Sequence, residues 1–395
     1  MKALKAIVAG TIYTPMEAIP NGVILIDGSR ITKVGPKDET KIPPGTEVVD
    51  HSDRIVAPGF VDLHIHGAAG HDLMDGNPEA VAAVGAYLAR HGATGYLATT
   101  VTASLDRTLH AAKALGEIIR ASQTSPGAAD KTAGALPLGI HFEGPFLNVE
   151  KRGAHLASQI QKPSTETLAK MLDAAGGTAR VLTLAPEIEG ALAVLELARS
   201  RGLRVGIGHS NATFEEAERA IAAGATHAAH IYNAMRPFLH RDSGIIGAVL
   251  IDDRICAELI CDGVHVEANA IRLLVKAKGI ERVLLVSDSV SGAGMPDGNY
   301  RLGNFTVHVA GGVCRTVEGN LAGSTLTLDA AVRNLSNFTG LTYQQCLPCA
   351  TLNPARLLGI DKQKGVIAAG TDADLAILDR EHYVTQTYVR GQAVI

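Results

Sequence analysis

The sequence predicts an α/β fold: a (β/α)8 TIM barrel with a small β-sandwich domain built from both chain ends. Three observations predict it. The two ends share a texture of short apolar runs broken by turn signals, the middle repeats strand, loop and helix eight times, and polar residues suited to a cation fall at the ends of those central strands.

The first stretch, residues 1–57, alternates Ala6-Ile7-Val8, Gly22–Gly28, Arg30–Gly35 and Glu47–Asp50 with turns, and reads as strands. Residues 359–395 repeat the pattern in Gly365–Asp379 and Tyr388–Ile395, so the two ends are expected to pair in one small domain. Between them, residues 58–358 form the expected barrel domain. Apolar strands are placed near 59–64, 94–101, 137–143, 180–185, 204–209, 226–230, 256–261 and 283–288. A helix over 78–91 is opened by Asn77-Pro78 and closed by Gly92, and another starts at the capping box Thr213-x-x-Glu216.

In such a barrel the carboxyl ends of the strands face one mouth, where ligands and substrate meet. His64 and His66 end the first strand, in Phe60-Val-Asp-Leu-His-Ile-His-Gly67, and period two puts both imidazoles on one side. Glu143 ends the third strand, His209 the fifth, His230 the sixth and Asp288 the eighth. Neutral imidazoles with carboxylates suit a divalent metal, zinc or iron first, with manganese or cobalt also fitting. These residues suffice for one or two ions: His64 and His66 on one, His209 and His230 on the other, with Glu143 between. The fourth strand, Arg180–Pro186, contains no lysine, which argues against a carbamylated lysine in the bridging place. Water shared by two ions about 3.5–4 Å apart loses a proton near neutrality, which points to hydrolysis. Asp288, at the end of Val283-Leu-Leu-Val-Ser-Asp, is the expected acid-base group, returning a proton to a leaving nitrogen, and is compatible with ligation.

Composition excludes other classes. The formal net charge is −4 and no long basic run is present, so a nucleic-acid partner is not expected. Tryptophan is absent and aromatics are 4%, which leaves few stacking platforms for single strands. No apolar run reaches membrane-spanning length, and the opening residues lack a signal-peptide pattern, so neither membrane nor export is expected. Five cysteines, an odd number, fit a reducing cytoplasm, and Cys346-x-x-Cys349 reads as packed thiols in a helical pattern.

Several motifs carry a resemblance along nearly the whole chain: His141-Phe-Glu-Gly-Pro-Phe-Leu-Asn148, Lys151-Arg-Gly-Ala-His155, Gly208-His-Ser-Asn-Ala212, His230-Ile-Tyr-Asn-Ala-Met235, Cys261-Asp-Gly-Val-His265 and Val286-Ser-Asp288. In this order they closely resemble the N-acetylglucosamine-6-phosphate deacetylase family of the amidohydrolase superfamily. The resemblance implies that Glu143, His209 and His230 form the metal site common to that family and that Asp288 is its catalytic aspartate. It implies that His155 polarises the acetyl carbonyl, that His265 and the backbone around Asn233 and Ala234 grip the sugar and its phosphate, and that Arg241 reaches the phosphate of a neighbouring subunit in a homodimer. Retention of His64 and His66 resembles the two-metal branch. The implied reaction is deacetylation of N-acetylglucosamine 6-phosphate, in amino-sugar catabolism or cell-wall recycling. The galactosamine epimer, a cyclic amide or a deaminase substrate are the alternatives on the same site, and a non-catalytic scaffold is the alternative of another class. Gly319-Asn-Leu-Ala-Gly-Ser324 also resembles the family and reads as a turn before a helix starting near Ser324.

Overall fold

Eight parallel strands, each buried along nearly its whole length, organise the computed structural model, which describes residues 4–124 and 134–394. The barrel strands are Phe60–Ile65, Ala93–Thr100, Leu136–Glu143, Ala179–Leu184, Arg204–Ile207, His227–Ala228, Cys256–Leu259 and Val283–Leu285. Each pairs in parallel with the next. The ring closes where Ile65 bridges Ser289 and the Asp288 amide donates to the His64 carbonyl at 2.8 Å.

Local signals set the helix ends. Asn77 caps Pro78–Arg90 by accepting from the Ala80 amide at 2.8 Å, and Thr213 with Glu216 forms both halves of a capping box on Phe214–Ala223. Helices Leu105–Thr124, Thr165–Ala175, Ala191–Ser200, Gly244–Ile251 and Ala268–Lys278 follow the second, third, fourth, sixth and seventh strands. After the eighth strand the pattern changes. An antiparallel three-stranded sheet, Gly298–Leu302, Phe305–Ala310 and Val313–Thr316, precedes the last barrel helix. Its Leu302, Val307 and Val309 pack with Met74, Val101 and Val290, which seats it over the barrel mouth. That helix spans Leu328–Thr339 and does not begin near Ser324, because Ser324 is still extended, bridging Ser289 and donating its amide to the Asp288 carbonyl at 2.7 Å.

Strands from both ends form the second unit. Leu4–Tyr13, Ala18–Asp27, Arg30–Pro36 and Glu47–Pro58 join Leu375–Leu378, Val384–Val389 and Gln392–Ala393 in one hydrogen-bonded sheet. Ile7, Ile24 and Ile31 from one half share an apolar cluster with Leu375, Ile377 and Tyr388 from the other, so the sheet wraps a common core as a sandwich does. Thr387 fastens it to the barrel by donating to the Ala89 carbonyl at 2.6 Å. Buried Lys364 is paired with Asp372 at 3.1 Å and with Asp374, so its charge is matched inside the protein. Cys346 and Cys349 are free and buried, as packed thiols. Among the described residues no helix is long and apolar enough to cross a membrane.

Candidate active site

At the barrel mouth the buried Glu143 carboxylate is surrounded by imidazoles. Its Oε1 lies 3.3 Å from His64 Nε2, 3.2 Å from His209 Nε2 and 3.1 Å from His230 Nε2. Its Oε2 lies 3.3 Å from His66 Nε2 and 3.2 Å from His155 Nε2. Asp288 stands across the site, with Oδ1 3.3 Å from His66 Nε2 and 3.7 Å from His64 Nε2. The chain thus gathers residues more than 200 positions apart, and every metal-type residue singled out in the sequence is in the cluster.

Ordinary hydrogen bonding does not account for this arrangement. A carboxylate oxygen accepts through two lone pairs, yet three ring nitrogens converge on Oε1, and His64 Nε2 has no hydrogen-bond partner. Two of the five far nitrogens are secured from behind: His209 Nδ1 lies 2.9 Å from the Lys151 carbonyl and His64 Nδ1 lies 3.2 Å from Glu258 Oε2. Donation outward from Nδ1 leaves the Nε2 lone pair facing the cluster, which is how metal-binding histidines are oriented. Two groups have ligand atoms all within 4.8 Å of one another: His64, His66 and Asp288, and Glu143, His155 and His209. The donor set therefore fits a divalent cation.

Charge within the site is balanced between the carboxylates and the rings. Burial alone would raise Glu143, but the His64 and His155 rings, with hydrogen bonds from His155 and His209, hold it well below the usual carboxylate range. Burial also opposes ionisation of Asp288, and His64 and His66 outweigh it, bringing it down to about 2. His66 is pushed up to about 9 because hydrogen bonds to Asp288 and Glu143 overcome its burial. His209 goes the other way, to about 4, since burial dominates there. With two carboxylates this close, positive charge is required, either as protons on the rings or as a bound cation.

Three residues of the cluster occupy left-handed backbone: His209 at φ 51°, His230 at φ 25° and Asp288 at φ 48°. Non-glycine residues rarely adopt this region, and it clusters at functional sites. Two glycines make room. A Cβ on Gly144, at φ 85° next to Glu143, would stand 2.2 Å from Thr102 Oγ1, and one on Gly323, at φ 61°, would stand 2.8 Å from the Asp288 carbonyl oxygen.

Asn233, Ala234 and His265 line the same pocket as His66, Glu143 and Asp288. Gly323 lines it too, so the glycine-rich turn approaches the site. His265 is aimed by Asp262, whose Oδ2 is 2.6 Å from its Nδ1. Leu302 and Phe305 of the three-stranded sheet supply part of the apolar wall. Arg241 is exposed and outside the residues that line this pocket.

His155, which the resemblance puts at the acetyl carbonyl, lines the pocket beside Glu143 and His209. One placement differs from what strand alternation predicts: His227, three residues before His230 and so expected on the opposite face of a regular strand, is fully buried 3.3 Å from Glu258 Oε1 in the barrel interior. Regular strand ends at Ala228 and the turn at His230 breaks the alternation. Sequence reasoning also missed Glu258 and gave no role to His141, whose ring spans the Leu63 carbonyl at 3.0 Å and Thr183 Oγ1 at 2.8 Å. Burial drives His141 down to about 3, so it is neutral.

Comparisons with known proteins agree with this geometry. A model of the amidohydrolase family matches residues 55–394. An N-acetylglucosamine-6-phosphate deacetylase of Lysinibacillus sphaericus is 37% identical over 348 residues, 88% of this chain and 87% of that protein. An N-acetylgalactosamine-6-phosphate deacetylase of Escherichia coli O157:H7 is 38% identical over 351 residues, 89% of this chain and 90% of that protein. The solved structure of a Mycobacterium smegmatis N-acetyl-D-glucosamine-6-phosphate deacetylase variant in complex with N-acetyl-D-glucosamine-6-phosphate superposes with a TM-score of 0.91 at 34% identity, covering 100% of both chains. The chain belongs to the amidohydrolase family, in its branch of N-acetylglucosamine-6-phosphate deacetylases.

Proposed function

We propose that the chain hydrolyses the N-acetyl group of N-acetylglucosamine 6-phosphate, giving glucosamine 6-phosphate and acetate. The observation that carries this reading is the convergence of five imidazoles on Glu143 beside Asp288, in a pocket also lined by His265, Asn233 and Ala234. His64, His66, Glu143, His209, His230 and Asp288 would hold a divalent cation, one or two per subunit with zinc or iron foremost, which would supply a water of lowered pKa and a pull on the acetyl oxygen. Asp288 is ionised near neutrality, so it enters as the base, takes a proton from the attacking water and delivers it to the departing amine as the C–N bond breaks. His155 donates to the oxygen that gains negative charge. His265, held by Asp262, and the backbone at Asn233 and Ala234 fix the sugar and its phosphate.

Arg241 is assigned to the phosphate of a partner subunit in a homodimer. Its exposure supports this, as does the exposed apolar pair beside it, Phe238 and Leu239. A planar guanidinium fork matches a phosphate dianion. The free thiols suit a cytoplasmic setting, and the products suit amino-sugar catabolism or cell-wall recycling.

The galactosamine epimer is the second reading, favoured by the 38% identical relative from Escherichia coli O157:H7. Acetate release from both 6-phosphates and from unphosphorylated N-acetylglucosamine, with elemental analysis of the purified protein, separates the possibilities. The highest kcat/KM is expected for N-acetylglucosamine 6-phosphate. Turnover of a cyclic amide with none of either sugar phosphate would overturn the reading.

A further inference from the structure

We propose that Glu258 is a positioning residue for the cation site, a single carboxylate beneath the pocket that holds ligands from two barrel strands in register. The inference rests on the reading of His64 as a cation ligand and extends it one layer into the barrel.

Glu258 lies on the seventh barrel strand, in Cys256-Ala-Glu-Leu259, and is fully buried. It does not line the pocket and touches none of the space a substrate would enter. A carboxylate in the interior of an apolar strand is costly unless its lone pairs are used. Here they point at the site's own framework. Oε2 lies 3.2 Å from His64 Nδ1 and 3.3 Å from the backbone amide of His230, while Oε1 lies 3.3 Å from His227 Nε2 without a hydrogen bond. The Glu258 carbonyl accepts from the Ile231 amide at 2.8 Å, fastening the turn that follows His230. His227 is anchored in turn, with Nδ1 2.9 Å from Thr226 Oγ1.

Two consequences follow. Acceptance at His64 Nδ1 selects the tautomer whose Nε2 lone pair faces Glu143 and Asp288. Acceptance from the His230 amide holds a residue in left-handed backbone that would otherwise relax, and this keeps the His230 ring on Glu143. His64 has no rotational freedom of its own to correct a loss, because its side chain is completely enclosed.

The test uses purified, zinc-loaded wild type, Glu258→Gln, Glu258→Asp, His64→Asn and the Glu258→Gln/His64→Asn double variant. Each is equilibrated against graded zinc-chelator buffers, zinc per subunit is read by elemental analysis, and the Tm of the stripped protein is recorded alongside. Glu258→Gln is expected to weaken zinc at one site about 10–100-fold, the range for loss of an outer carboxylate. Glu258→Asp keeps the charge but cannot reach His64, so it is expected to weaken zinc too, and it serves if the glutamine variant does not fold. In the His64→Asn background Glu258→Gln is expected to cost little more at that site, which a merely structural role would not predict. Wild-type zinc affinity in Glu258→Gln or Glu258→Asp, or an undiminished loss at the site containing His64 in the His64→Asn background, overturns the proposal while leaving the ligand reading intact. Unchanged zinc content in His64→Asn overturns both.

Discussion

Consider the protein stripped of divalent cations by a chelator and carried from pH 6.5 to 9. His66 Nε2 then lies between Glu143 Oε2 and Asp288 Oδ1, 3.3 Å from each. Burial opposes charge on the ring, but hydrogen bonds to both carboxylates prevail and lift its pKa from 6.5 to about 9. A group that binds its proton more tightly when folded contributes stability that is fully present below about 6.5 and is lost as pH climbs through about 9. The difference corresponds to about 3 kcal/mol at its largest. His64 and His230 are shifted in the same direction, the carboxylates again outweighing burial. His209, at about 4, acts only at lower pH and does not offset this change. A divalent cation needs neutral imidazoles, so loading releases these protons and affinity rises with pH. Thermal unfolding of stripped and zinc-loaded protein across this range, with proton release measured calorimetrically in two buffers of different ionisation enthalpy, tests both signs. The stripped protein is expected to lose Tm as pH rises, while the gap between loaded and stripped protein widens. A stripped protein with flat or rising Tm, or zinc binding at pH 7 that displaces no proton, refutes the charge balance drawn from the geometry.

Asp288→Asn is expected to retain zinc at the remaining ligands and to lose about 10²–10⁴-fold in kcat, as for removal of an acid-base group; undiminished turnover would dismiss its role. Gly323→Val places a Cβ 2.5 Å from Val290 Cγ1 and 2.8 Å from the Asp288 carbonyl oxygen, on backbone at φ 61°. The left-handed backbone alone costs about 1–2 kcal/mol, so a lower Tm and a larger fall in activity are expected, and a variant equal to wild type in both would contradict this packing. Arg241→Ala is expected to raise KM for the 6-phosphate substrate about tenfold or more, from loss of a charge-assisted contact, with little change for an unphosphorylated one. Equal effects on both substrates would separate Arg241 from the phosphate.

The barrel was legible because its strands are buried on both faces and read as apolar runs, and because capping residues such as Asn77 and Thr213 act within one turn of their own position. The site was legible where a strand ends in a polar residue, as at Glu143, and where two imidazoles are two residues apart on regular strand, as at His64 and His66. Other features depend on tertiary neighbours. The alternation that misplaced His227 fails because the sixth strand is regular only over His227–Ala228. The helix expected near Ser324 starts later because Ser324 is captured by Ser289. Two omissions did carry a local signal: the acidic Glu258 inside an apolar strand, and the alternating run Phe305–Ala310 after the turn at Gly303-Asn304, which marks the hairpin over the mouth.

The strained turns explain why alternation alone cannot position the ligands, and they bear on what the cation contributes. His209, His230 and Asp288 each sit just beyond the last regular residue of a strand, where positive φ swings the side chain back across the mouth. Each is fastened through its backbone: the His209 carbonyl accepts from the Asn148 amide at 2.9 Å, the His230 amide reaches Glu258, and the Asp288 amide donates to His64 while its carbonyl accepts from Ser324. Those bonds come from different strands and loops of the closed ring, and none of them involves a side-chain atom that a cation would occupy. The proposed ligands are therefore held by the barrel without an ion, and the strain, about 1–3 kcal/mol at each turn, is offset by the packing of the whole ring. On this argument zinc added to stripped protein near neutral pH restores activity in one phase whose rate rises with zinc concentration. A slow phase independent of zinc concentration would mean that the turns form only around the ion.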